Sequence, residues 1–150
     1  KGWQTNAAKD GGLDRIRYTG KKVNMPIAMK TTPQGMELKF SEKLDAELAN
    51  DPKSYAVKGA DIWWSHDYGS REFNLGQRAV DITKKKQGWT TLKVKSAKLQ
   101  SDGKTVFVEI ENFQPAHELE FSIDLETTEG APITNICFAV GQSIENFFTG

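Results

Sequence analysis

The residues of this chain best equipped for chemistry lie together in Trp63-Trp64-Ser65-His66-Asp67-Tyr68-Gly69-Ser70-Arg71-Glu72-Phe73. Four aromatics, a histidine and three charged groups fall within eleven residues. Such a segment suits a ligand platform. Trp63, Trp64, Tyr68 and Phe73 offer flat apolar faces with large contact area at low entropy cost, as on a sugar ring. His66, Asp67, Arg71 and Glu72 could orient hydroxyls at the rim. The competing reading is structural: neighbours in a strand point to opposite faces, so one of Trp63 and Trp64 faces the core, and Tyr68-Gly69 pins a loop.

Other chemistries are poorly served. His66 and His117 stand 51 residues apart, without the short fixed spacing of a transition-metal site. Ser65 and Ser70 lie near His66-Asp67, but no elbow motif orients either as a nucleophile. The carboxylate pairs Glu109 with Glu111 and Glu118 with Glu120 have spacing two on wet strand faces. They do not face one another across a cleft as a glycosidase pair does. Calcium takes oxygen ligands from any loop, so the turns at Asp10 and Asp102 are candidates, though no repeated ligand spacing supports them. Gly11-Gly12 and Gly141 lack the strand-glycine-helix setting of a phosphate loop. The reading is of a non-catalytic chain with no cofactor and no bound metal.

Composition narrows the partners. Lys plus Arg equals Asp plus Glu at 20 each, and Lys84-Lys85-Lys86 is the one basic run, so the electrostatic pull toward nucleic acid is missing. No apolar run approaches a membrane span of ~18 residues. The single cysteine, Cys137, cannot form an internal disulfide and sits in an apolar strand-like run, which reads as a buried inert thiol. No signal peptide is visible, and the chain begins at Lys1, which suggests a processed or excised piece.

The elements that must position the aromatic segment are strands. Met36, Leu38 and Phe40 alternate with polar residues, as do Val106, Val108 and Ile110, and Leu119, Phe121, Ile123 and Leu125. Period two gives each strand one oily face and one wet face, the pattern of antiparallel sheets covered on one side. Pro33-Gln34-Gly35, Ser101-Asp102-Gly103-Lys104 and Glu129-Gly130-Ala131-Pro132 are turns between these runs. Within Leu92–Leu99 the inward set shifts, which predicts a bulge near Ser96. Ser41–Asn50 holds one helical turn capped by Asp45 and stopped by Asp51-Pro52. Trp89 plugs one end, and Trp3 packs on the sheet or on a missing neighbour. Seven or eight short strands predict an all-β fold, an immunoglobulin-like antiparallel β-sandwich over residues 13–150. Residues 1–12 form a leader or linker, joining a first, leader strand at Leu13–Thr19.

Gly35–Asp45 followed by Asp51-Pro52-Lys53-Ser54-Tyr55-Ala56-Val57 resembles bacterial Ig-like domains, as does Val94–Val106. With Asp10–Lys21 and Trp64–Ser70, the chain is similar to an Ig-like module of planctomycete and verrucomicrobial secreted proteins. The resemblance implies an accessory domain beside propeller-type dehydrogenase and c-type cytochrome domains in long exported chains. It therefore implies neighbouring domains as partners and an extracytoplasmic home, periplasmic or secreted. It carries over no catalytic residue, and the haem-attachment motif is absent here. The function expected is that of an accessory or interaction module. The alternative is a carbohydrate-binding module that takes polysaccharide on the aromatic segment.

Overall fold

The computed structural model describes residues 15–63 and 69–139, with side chains described through Thr134. The oily faces close on one another as two antiparallel sheets. The first contains β1 (Pro26–Thr32), β2 (Gly35–Phe40), β6 (Val94–Leu99) and β7 (Thr105–Ile110), in the order β1-β2-β7-β6. The second contains β3 (Tyr55–Trp63), β4 (Arg71–Phe73), β8 (Glu118–Glu126) and β9 (Pro132–Ala139), in the order β4-β3-β8-β9. A short β5 (Thr90–Leu92) shares the outer edge of β3 with β4, pairing with Val57–Gly59 while β4 pairs with Asp61–Trp63. Four strands in the first sheet face five in the second, where β4 and β5 share one edge, two antiparallel sheets packed as in an immunoglobulin-type sandwich.

The alternating residues supply the core. Met36, Leu38 and Phe40 on β2 are buried, as are Val106, Val108 and Ile110 on β7. Leu119, Phe121, Ile123 and Leu125 on β8 meet them from the other sheet. The polar alternates pair on the wet side: Glu109 with Lys95 at 2.7 Å and Ser96 at 2.8 Å, Glu111 with Lys93, and Glu120 with Lys58. Of the four carboxylates read as strand-face charges, Glu109, Glu111 and Glu120 are thus paired with lysines.

The short helix α1 (Ala46–Asn50) follows the expected pattern. The Asp45 side chain accepts the Leu48 N–H at 3.0 Å, and a 3-10 turn at Pro52–Ser54 succeeds the helix. From there Tyr55 reaches back, its buried hydroxyl donating to the Ala49 carbonyl at 2.9 Å. Burial pushes its phenol well above the ordinary tyrosine value, so it stays a donor at any physiological pH. Tyr55→Phe strands the Ala49 carbonyl and is expected to cost about 1–2 kcal/mol in urea unfolding; a loss within error of zero refutes this tie.

The turn residues also hold charge. The backbone N–H of Lys104, then the Thr105 hydroxyl and N–H, hold the Asp102 carboxyl below the usual range. Both carboxyl oxygens are thereby spent on the hairpin between β6 and β7. Lys95 holds Glu109 down, and Lys93 holds Glu111 down. Folded values below the unfolded ones stabilise fully above the unfolded pKa and are lost as pH falls through the folded values. The melting temperature is therefore expected to be level from about pH 5 to 8 and to fall below about pH 4. Asp102→Asn should flatten part of that acid limb in thermal melts, and an unchanged acid limb would contradict the assignment.

Two expectations are corrected. Leu92–Leu99 is not one strand: Leu92 ends β5 in one sheet, and Val94 begins β6 in the other, so the chain changes sheets at Lys93. The shift in the inward set reflects that crossing as well as the bulge, which lies between Val94 and Ser96. The leader strand is not formed over its described part, since residues 15–24 belong to neither sheet and their backbone has no strand partner among the described residues. Trp89 lies partly exposed beneath Lys58, whose Nζ sits 4.8 Å from the ring centroid. Cys137 pairs with Phe121 in strand register; its side chain, like Trp3 and Asp10, lies outside the described residues.

Candidate functional site

Along β3 the inward positions run Tyr55, Val57, Gly59, Asp61 and Trp63. Asp61 thus places a carboxylate on the oily face, with 1% of its side chain exposed. A buried charge needs partners. Arg78, in the loop between β4 and β5, grips it as a fork: Nη2 to Oδ1 at 3.2 Å and Nε to Oδ2 at 3.4 Å. The same Nη2 donates to the Pro115 carbonyl at 3.2 Å. His117, just before β8, brings Nδ1 to 2.8 Å from Asp61 Oδ1.

That ring nitrogen also lies 3.3 Å from the Ile62 backbone N–H. It cannot donate to the carboxylate and accept from Ile62 at once. A bare Nδ1 would set two lone pairs against each other at 2.8 Å, so Nδ1 carries the proton and donates to Asp61. One carboxylate thereby joins β3, the loop after β4 and the segment leading into β8.

Trp63 stands next along the same face. His117 meets its ring edge-on, with centroids 6.1 Å apart. Lys85 caps it, with Nζ 4.2 Å from the centroid, while also donating to the carbonyls of Gln77 and Arg78. The indole Nε1 is buried without a hydrogen-bond partner among the described residues. The loop that delivers Lys85 is stapled by the Gln77 amide, which bonds the Asn74 and Lys86 carbonyls and the Lys86 N–H.

Of the residues the sequence singles out, Trp63, Arg71, Glu72 and Phe73 are brought together by the pairing of β3 with β4. Trp63 opposes Arg71, Ile62 opposes Glu72, and Asp61 opposes Phe73. Arg71 and Glu72 are exposed, whereas Phe73 is buried in the sandwich. Trp64, His66, Asp67 and Tyr68 lie outside the described residues. Sequence reasoning missed Asp61 and Arg78 and the role of His117. The available signal was a carboxylate at the inward parity of a strand that begins Tyr55-Ala56-Val57. Among the described residues, no three histidine, cysteine or acidic side chains converge as a metal site. None of their helices is long and apolar enough to cross a membrane.

The sheet order and core define an immunoglobulin-like β-sandwich. Two solved structures of the surface-layer protein SbsC, one of residues 31–844 and one of domains 1–6, share this fold. Each matches 78% of this chain with a TM-score of 0.51 at 13% identity. The match spans 13% of the surface-layer chain. No protein-family profile matches the chain, and no curated protein sequence does.

Proposed function

We propose that this chain is a non-catalytic interaction module of an exported, multidomain bacterial protein. The observation that carries the reading is the likeness to a small part, 13%, of a surface-layer chain, a protein whose name places it at a cell surface. The site geometry agrees. Arg78 and the Nδ1–H of His117 are turned inward to Asp61, a use of polar groups that fixes loops. The contact surface is the end of the second sheet: Trp63, Arg71 and Glu72 with the aromatic segment Trp64, His66, Asp67 and Tyr68, backed by Phe73 on the core side. The sandwich occupies residues 13–150 in this reading, after a leader at 1–12.

An antibody raised against the chain tests this on fractionated cells of the source organism. The expected signal is extracytoplasmic and much heavier than 16.7 kDa. A cytoplasmic signal at that mass refutes the proposal.

A carbohydrate-binding role is the second reading, favoured by the partly exposed Trp63 beside exposed Arg71 and Glu72. Lys85 takes one ring face, so a sugar would use the other or displace the ammonium. Affinity electrophoresis against a polysaccharide panel separates the readings. Retardation that Trp63→Ala abolishes establishes a sugar site, and equal mobility on every glycan leaves protein contact as the function.

A further inference from the structure

Residues 15–19 read Arg-Ile-Arg-Tyr-Thr, with cations alternating with apolar side chains at strand spacing. They belong to neither sheet, and Ile16 and Tyr18 are 97% and 88% exposed. A short strand with one oily face gains nothing from standing in water. Its backbone and its apolar face both call for a sheet edge.

The stretch leaves the sandwich from a fixed point. Ser41 donates its hydroxyl to the Val23 carbonyl at 2.6 Å and its N–H to the Met25 carbonyl at 3.0 Å, and its Oγ accepts the Met25 N–H. Beyond that clamp, exposed apolar side chains continue along Val23, Met25, Ile27 and Met29. Six of the eight large exposed hydrophobics among the described residues therefore fall between positions 16 and 29. Most of the exposed oily side chains among the described residues are at this end.

The two edges of the first sheet do not suit the strand. β1 carries Lys30, and β6 carries Lys95 and Lys98, charged side chains that blunt an edge, and neither strand offers a carboxylate to Arg15 and Arg17. The complementary acceptor is oily on one face and acidic on the other.

We infer that residues 15–19 are a strand donated to a neighbouring domain of the same polypeptide, completing a sheet edge whose wet face is acidic. Backbone bonds give the affinity, and Ile16 and Tyr18 fix the register. The inference rests on the multidomain reading above and adds to it which segment makes the joint.

Hydrogen exchange followed by mass spectrometry tests it on two samples, the 150-residue chain alone and the native gene product. Amides of residues 16–19 are expected to exchange freely in the first and about a hundredfold or more slowly in the second. Ile16→Glu with Tyr18→Glu in the native product should return them to free exchange while β7 and β8 stay protected. Both side chains stand clear of the sandwich, so the double variant leaves its core intact. Equal exchange in the two samples, or protection that survives the double variant, overturns the inference. Equal exchange in a native product larger than this chain overturns the donated strand and leaves the multidomain reading standing. A native product no longer than this chain overturns both.

Discussion

Gly35→Ala is expected to destabilise the sandwich by about 3 kcal/mol or more, a fall in melting temperature of about 10 °C. Gly35 opens β2 opposite Glu109 of β7. A Cβ built there would lie 2.0 Å from the Val108 carbonyl oxygen, 3.0 Å from its carbon and 3.1 Å from the Glu109 Cα. All three atoms are backbone, so no side-chain rotation relieves the clash. Either the turn at Pro33-Gln34 shifts, and with it the bond from the Ile110 N–H to the Gln34 carbonyl, or β2 and β7 part where Met36 and Val108 are buried. Gly130 is the control. It has positive φ in the turn before β9, but nothing lies within 4 Å of its added Cβ. Gly130→Ala carries only the local conformational cost of about 1 kcal/mol. Equal, small losses for the two variants would show that the strands do not approach as closely as described.

Arg78→Ala is expected to cost about 2–3 kcal/mol. Removing one partner of a buried ion pair typically costs about 3–5 kcal/mol, and the 44% exposure of the Arg78 side chain reduces that through solvent screening. The substitution leaves the Asp61 carboxylate with His117 alone of the two side-chain donors that face it, and it frees the loop from the Pro115 carbonyl. Arg78→Lys should rescue little, because a single ammonium cannot reproduce the two-pronged grip. Pairing Arg78→Ala with Asp61→Leu in a double-mutant cycle should recover much of the loss, since no buried charge then remains. Trp63 provides an optical readout: its ring rests against His117, so Asp61 variants that release the imidazole should shift tryptophan emission. Additive losses without an emission change would mean that the three side chains do not act as a unit.

Local order was readable from the chain, and long-range order was not. The alternation at Met36, Leu38 and Phe40, at Val106 to Ile110 and at Leu119 to Leu125 marks the core because the side-chain period of a strand is a geometric constant. The Asp45 cap and the Ser101–Lys104 turn were equally legible, each resting on bonds spanning three residues or fewer. The sheet change at Lys93 was hidden because Leu92 and Val94 keep an unbroken strand-like pattern while pairing with different partners. The grip on Asp61 spans sequence separations of 17 and 56, and no local pattern encodes which loops return to it. Arg15 to Thr19 shows the converse case. Its alternation was visible, but a strand also needs an edge to pair with, and the segment joins no strand of either sheet.

The central claim is that this sandwich works by contact with other parts of a longer protein. Lysine-specific crosslinking of the native gene product tests it most directly. Lys84 and Lys86 stand exposed and flank in sequence Lys85, which covers Trp63, and Lys21 and Lys22 stand exposed just after the segment at 15–19. The account predicts crosslinks from both lysine groups to peptides that are not part of this sequence. Crosslinks confined to these 150 residues, matching those of the chain alone, would contradict it.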